Sequence, residues 1–348
     1  MMNNTPLLDY EKLTLPEIAE KISTGGRALI LTHVNPDGDC IGSAFALLGL
    51  IRACGGDGRV ACPTEVPKRL RFMCGDQENF TADDADEFDL IIAVDVASPI
   101  QLGELGSLIG KIDIMIDHHG MGEAFADNYI DHKSAAAGEI IFELYKLIRE
   151  NGKVGSLPSV ARLIYGAIIS DTGSFKQSNT TPKTHLIASE LVGEINGAQD
   201  GGADTTEVAR SLFGQRTLTE LRAQMVAIQN LRLYEDGRLG VVLFTRDMLV
   251  DAGLTDEDIG NAVETPRGVE GVLVGLSLKQ SPTDPTQYRV SSRANADIDC
   301  SAVCAKFGGG GHVRAAGCTV CGDTPEEALA VATSAFGDAI REYIASRQ

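Results

Sequence analysis

The sequence predicts an α/β fold with an N-terminal, mostly parallel sheet flanked by helices, a helical linker, and a smaller C-terminal α+β domain. Three observations predict it. Short aliphatic or β-branched runs alternate with helical stretches through the first half, and such alternation implies parallel strands joined by crossover helices. After Asp171 the pattern turns helical, and from about residue 239 it becomes strand-like again. The 348 residues exceed one ordinary core, and the 43% apolar content is enough to fill two. The expected boundaries are 1–213 for the first domain, 214–235 for the linker and 236–348 for the second domain.

The elements are read in order from apolar spacing and length. Strands are expected at 28–32, 59–62, 90–95, 112–116 and 128–130, and helices at 42–54, 134–149 and 158–170. Helices at 184–195, 205–212 and 217–231 come next. Residues 234–238 (Tyr-Glu-Asp-Gly-Arg) make a turn. Strands at 239–245, 269–278 and 288–292 come after it, with helices at 301–307 and 324–346. In a parallel sheet of this kind, ligands bind beyond the carboxyl ends of the strands. Chemistry is therefore sought there.

Composition narrows the function. No run approaches the roughly 18 apolar residues of a membrane span. Residues 1–15 have neither a basic start nor an apolar core, so no secretory signal is expected and the protein is read as cytoplasmic. The eight scattered cysteines read as reduced thiols. Cys300 and Cys304 with Cys318 and Cys321 have a zinc-like spacing, but small buried side chains are the plainer reading. With 49 acidic and 30 basic residues, the formal charge is −19. No basic stripe is available for tracking long DNA or RNA. The balance suits a small phosphorylated substrate gripped locally.

Four stretches carry candidate chemistry. His33-Val-Asn-Pro-Asp37-Gly-Asp39 comes directly after the first strand, Asp95 ends the third, and Asp117-His118-His119 closes the fourth. Asp171 ends a helix. Each has an ordinary explanation alone: an aspartate after a strand is usually a helix cap, and a His-Pro-Asp loop is usually a turn. Together they recur at one end of successive parallel strands, so the fold gathers them. Buried carboxylates and imidazoles are costly unless a cation joins them. Their mixture suits Mn²⁺, with Mg²⁺ or Fe²⁺ as alternatives.

This series resembles the four motifs of the DHH phosphoesterase superfamily. Phe307-Gly-Gly-Gly-Gly-His312-Val-Arg314-Ala-Ala-Gly317 is similar to the signature loop of its DHH-associated C-terminal domain. The likeness covers nearly the whole chain. It is nearest to the nanoRNase branch, whose members combine oligoribonuclease and adenosine 3′,5′-bisphosphate phosphatase activity. Tyr165-Gly-Ala-Ile-Ile-Ser-Asp171-Thr-Gly-Ser-Phe175 and Thr180-Thr181-Pro182 share that likeness.

The resemblance implies two divalent metal ions. His33 and Asp37 would hold one, Asp39, His118 and Asp171 the other, and Asp95 would bridge them. His119 would lie by the substrate and polarise a phosphate oxygen or assist the leaving group, and Asp117 would orient a neighbouring histidine. Gly309, Gly310 and Gly311 would let backbone N–H groups approach a phosphate that His312 and Arg314 clamp. Arg293 would also touch substrate, across a cleft between two domains. A flexible hairpin is the plain alternative for the glycines, and an exposed strand residue for Arg293. His132 and His185 lie outside the motifs. The small residues opening helix 134–149 are read as an ordinary capped start, with phosphate binding by its N–H groups as the alternative.

The expected function is hydrolysis of short oligoribonucleotides and of adenosine 3′,5′-bisphosphate, with no long nucleic acid and no membrane as partner. A homodimer is compatible with the sequence. Cyclic or linear di-adenylate hydrolysis and pyrophosphatase or exopolyphosphatase activity are the enzyme alternatives. A nucleotide sensor without catalysis is the remaining one, and it predicts a broken ligand where all six positions are intact.

Overall fold

The computed structural model describes residues 10–120, 122–260 and 262–347, and the chain divides into two units between Gln215 and Arg216. The first unit opens with α1 (Leu15–Ile22), started by a reciprocal capping box between Thr14 and Glu17. Then come β1 (Arg27–Leu31), α2 (Gly38–Ala53), β2 (Asp57–Ala61), β3 (Leu90–Val94), β4 (Ile114–Asp117) and β5 (Asn128–Ile130). Helices α3 (Ala137–Glu150), α4 (Pro158–Asp171), α5 (Pro182–Gly197) and α6 (Thr205–Ala209) complete it. The 3₁₀ stretch Pro99–Lys111 joins β3 to β4.

All five strands run parallel, in the order β2-β1-β3-β4-β5. Their side chains alternate between two cores, as a period of two requires. Ala28, Ile30, Ile92, Val94, Ile114 and Ile116 enter one core. Leu29, Leu31, Ile91, Ala93 and Met115 enter the other. Burial on both faces explains why these runs are continuously apolar. Helix α2 is buried on nearly every side and lies against α4. A Cβ on Gly42 would lie 2.8 Å from the Leu163 carbonyl, so this approach needs glycine. From β1 the chain runs to β2 on one side and later to β3 on the other. Such a switch point opens a crevice at the strand carboxyl ends.

The second unit contains α7 (Leu218–Gln229), β6 (Leu231–Tyr234), β7 (Leu239–Phe244), α8 (Arg246–Ala252) and α9 (Glu264–Arg267). It continues through β8 (Val274–Gln280), β9 (Gln287–Ala294), α10 (Cys300–Ala305), β10 (Gly310–His312), β11 (Ala315–Cys321) and α11 (Pro325–Ala345). Its sheet has the order β10-β11-β9-β8-β7-β6, with β7 and β8 parallel and the other pairs antiparallel. Helices α10 and α11 share a core with this sheet. The segment expected as a linker, 214–235, is mostly part of this unit. Ala223, Val226 and Ala227 of α7 pack with Val242 and Phe244, and β6 pairs with β7. Among the described residues, no helix is long and apolar enough to cross a membrane.

Candidate metal centre

Strands β1, β3 and β4 are neighbours, and the residues leaving their carboxyl ends converge. Asp95, directly after β3, is 3% exposed. Its Oδ2 lies 3.7 Å from Nε2 of His33, and its Oδ1 lies 3.4 Å from Nε2 of His118 and 3.6 Å from Nδ1 of His119. The His118 Nε2 also lies 3.6 Å from Asp39 and 3.9 Å from Asp171. Asp95 has φ = 59°, a left-handed conformation that aspartate tolerates better than most side chains. A strained turn at a strand end is a common device for aiming a functional group.

Backbone groups hold these side chains in place. His33 donates through Nδ1 to the Val34 carbonyl at 2.8 Å, and His118 through Nδ1 to the Ser134 carbonyl at 3.2 Å. Each imidazole therefore offers Nε2 to the cluster. His119 instead donates through Nδ1 to Asp117 at 2.7 Å, which leaves Nε2 as its open nitrogen. Asp39 accepts from Ser43 Oγ at 2.9 Å and from the Ala137 and Gly138 N–H groups at 2.7 and 3.0 Å. The N-terminus of α3 thus grips a protein carboxylate rather than standing open to phosphate. Asp37 caps α2, with Oδ1 accepting from the Asp39 and Cys40 N–H groups at 3.0 Å. Asp37 is in none of the groups of ligand atoms that the described residues bring together.

The electrostatics follow from burial and proximity. Burial opposes charge on His33 most strongly of any single cause, but the Asp95 carboxylate, the Val34 carbonyl and the Asp37 charge together outweigh it and lift the pKa to about 9. For His118 the same contest, won by Asp95 and Asp39, ends at about 10. His119 is raised mainly by its bond to Asp117. Burial would raise Asp95, yet His118 and His33 bring it down to about 2. Burial lifts Asp171 to about 6, and burial with the Asp95 charge drives Asp39 well above the usual carboxylate range. With only these groups facing one another, protons must supply the positive charge.

One oxygen tests whether cations fit. Asp95 Oδ1 is buried and has no hydrogen-bond partner among the described residues, although imidazoles surround it. A buried carboxylate oxygen left this way is costly, and a divalent ion relieves the cost. Ligand atoms of Asp39, His118 and Asp171 lie within 4.8 Å of one another, as do those of Asp95, His118 and His119. Hard oxygens mixed with imidazole nitrogens suit Mn²⁺, Mg²⁺ or Fe²⁺. The residues fit. A third such group joins His33 and Asp95 to Cys40, which the sequence reading counted only among the scattered reduced thiols. Its only sequence signal was its place beside Asp39.

The substrate residues expected in the second unit lie on and beside one hairpin. His312 and Arg314 are exposed, and Arg314 is paired with Asp297. Arg293, opposite Ala315 in β9, donates to the Ser292 carbonyl at 2.9 Å. The glycines divide into two kinds. A Cβ on Gly309 would meet the Gly317 carbonyl oxygen at 2.2 Å, and one on Gly311, with φ = 144°, would meet that of Ala315 at 2.5 Å. Backbone packing accounts for both. A Cβ on Gly310 would meet nothing within 4 Å among the described residues. Cys300, Cys304 and Cys318 are buried and Cys321 is exposed, and among the described residues they form no metal-binding group.

The profile of the DHH family, N-terminal domain, matches residues 27–168, and that of the DHHA1 domain matches residues 240–342. The chain is 31% identical over 330 residues to the bifunctional oligoribonuclease and PAP phosphatase NrnA of Thermus thermophilus, covering 92% of this chain and 93% of that protein. It is 24% identical to the cyclic-di-AMP phosphodiesterase GdpP of Bacillus subtilis, covering 90% of this chain but 48% of GdpP. A crystal structure of an exopolyphosphatase-related protein from Bacteroides fragilis superposes with a TM-score of 0.79 at 22% identity, covering 94% of this chain and 96% of that one. Both halves match in sequence order, and the similarity to NrnA runs almost end to end. The chain belongs to the DHH family, with a DHHA1 domain as its second half.

Proposed function

We propose that this protein is a two-metal phosphoesterase of the cytoplasm that hydrolyses short oligoribonucleotides and removes the 3′-phosphate of adenosine 3′,5′-bisphosphate. The convergence of His33, His118 and His119 on the buried Asp95, with Asp39 and Asp171 gathered on His118, carries the reading. The near full-length similarity to NrnA supports the substrate class. His33 and Asp37 would hold one cation, Asp39, His118 and Asp171 the other, and Asp95 both. When bound, such a pair, most readily Mn²⁺, would make water nucleophilic at neutral pH and offset charge developing on the phosphate.

The chain's own groups do the rest. Asp95, fixed by its strained turn, sets the spacing between the two ligand sets. Asp117 holds His119 through Nδ1, so that Nε2 carries a proton to the departing oxygen. In the second unit, the lack of a packing reason for glycine at 310 among the described residues supports close approach of a phosphate to the backbone there. His312 and Arg314 clamp the terminal phosphate, and Arg293 adds a further cationic contact. This reading favours short substrates over polymers.

A second reading, cleavage of cyclic di-adenylate, has support in the similarity to GdpP, of whose length this chain spans about half. One experiment decides between them. Rates with Mn²⁺ are compared on adenosine 3′,5′-bisphosphate, a five-residue RNA, linear and cyclic di-adenylate, and pyrophosphate. The first two are expected to lead. Faster turnover of cyclic di-adenylate or pyrophosphate would replace the proposal.

A further inference from the structure

Three ligands assigned to one cation are oriented by a single short stretch of chain. The Ser134 carbonyl fixes His118, and the Ala137 and Gly138 N–H groups fix Asp39. Asp171 comes from α4 and is tied to the same stretch by a residue outside every motif. Asn179 donates through Nδ2 to Asp171 Oδ2 at 3.1 Å, to the Asp171 carbonyl at 3.2 Å and to the Ala135 carbonyl at 2.9 Å. All three neighbours are acceptors, so the amide has one orientation. Turning it would set Oδ1 against two carbonyls and a carboxylate.

We infer that Asn179 is a positioning residue for the cation held by Asp39, His118 and Asp171, acting as the strut that locks Asp171 to the 134–138 segment. The inference rests on the ligand assignment above. A carboxylate at a helix C-terminus is otherwise free to rotate, and Asp171 is about one-third exposed, with a side-chain accessibility of 30%. Its neighbours His118 and Asp39 are nearly buried. Asp171 is thus the member of the set that most needs an outside partner, and groups bonded to a ligand in this way tune affinity. The hydrogen bonds of Asn179 reach only Asp171 and Ala135 among the described residues, so the effect is confined to one ion.

The test is Mn²⁺ titration of the full chain by calorimetry, with free Mn²⁺ followed by electron paramagnetic resonance. The wild type is expected to take two ions. N179A and N179L remove the donor, and leucine keeps the branching and heavy-atom count of asparagine though it is bulkier. Both are expected to weaken one ion by roughly 10–100-fold and leave the other unchanged. If N179A does not fold, N179L decides by the same readout. Two ions bound normally by N179L would overturn the inference, as would equal weakening of both. D171A separates the two levels of argument. If it still binds two ions tightly, the ligand assignment itself is wrong. If it loses one while N179L keeps both, only the role of Asn179 is.

Discussion

Replacing Asp95 by asparagine keeps the shape of the side chain and removes its charge. His118 Nε2 lies 3.4 Å from Asp95 Oδ1. At an effective dielectric constant of about 20, two unit charges at that separation attract by about 5 kcal/mol, equivalent to about 3.5 pKa units. The rise of His118 from 6.5 to about 10 is the net of this attraction, those of Asp39 and Asp171, and the opposing cost of burial. At 3.7 Å the attraction on His33 is only slightly weaker, and burial takes back enough to leave about 9. In metal-free D95N, burial acts on both rings with this attraction gone, so both midpoints should drop. His33 should fall to 6.5 or below. His118 should fall by roughly two units or more, with Asp39 and Asp171 retaining part of its shift.

The sign follows from linkage. A histidine with a raised folded pKa contributes stability that is complete below 6.5 and is lost as pH rises through 9 and 10. The metal-free wild type should therefore lose stability from pH 6.5 to 10, and D95N should show little of that slope. Histidine proton resonances followed against pH in chelator measure the midpoints, and thermal melting measures the slope. Midpoints that stay near 9 and 10 in D95N would refute the assignment of Asp95 as the central charge. With Mn²⁺ restored, D95N should lose roughly 100-fold or more in turnover while remaining folded.

Other outcomes are expected from the same geometry. Cations must displace the protons held by His33 and His118, so Mn²⁺ affinity should climb between pH 6.5 and 9 with measurable proton release, detected by calorimetry in buffers of different ionisation enthalpy. G309A should lose about 1–3 kcal/mol of stability from its clash with the Gly317 carbonyl, read by denaturant unfolding. G310A should melt within about 0.5 kcal/mol of wild type yet raise KM for phosphate-ended substrates, because nothing described around it in the fold requires glycine. R314A should raise KM more for adenosine 3′,5′-bisphosphate than for an aryl phosphodiester without a terminal phosphate, and equal effects in steady-state kinetics would remove it from terminal-phosphate recognition.

Much of the first unit was legible in the sequence because its strands are buried on both faces. Such strands stand out as apolar runs, and 90–95 and 128–130 were placed to within a residue of β3 and β5. The second unit was less legible. Its edge strand β6 has two exposed residues, Arg232 and Leu233, and it comes directly after a helix, so the pattern read as one long helix to 231. Strands β10 and β11 carry Gly310, Gly311 and Gly317, which local propensity counts against strand. Pairing of β11 with β9, and of β10 with β11, overrides that propensity.

The sequence by itself determined which groups stand at the strand ends, because a short parallel strand delivers the residues after it to the same edge of the sheet. His33, Asp95, Asp117, His118 and His119 could be named on that ground alone. Only the tertiary structure decided what holds them. That Asp39 is gripped by N–H groups 98 and 99 residues away, that Asn179 binds Asp171, and that Cys40 faces His33 and Asp95 depend on helix packing across the sheet. A contact of that kind is set by how whole elements approach one another. Its two partners carry no local pattern that marks them in the chain.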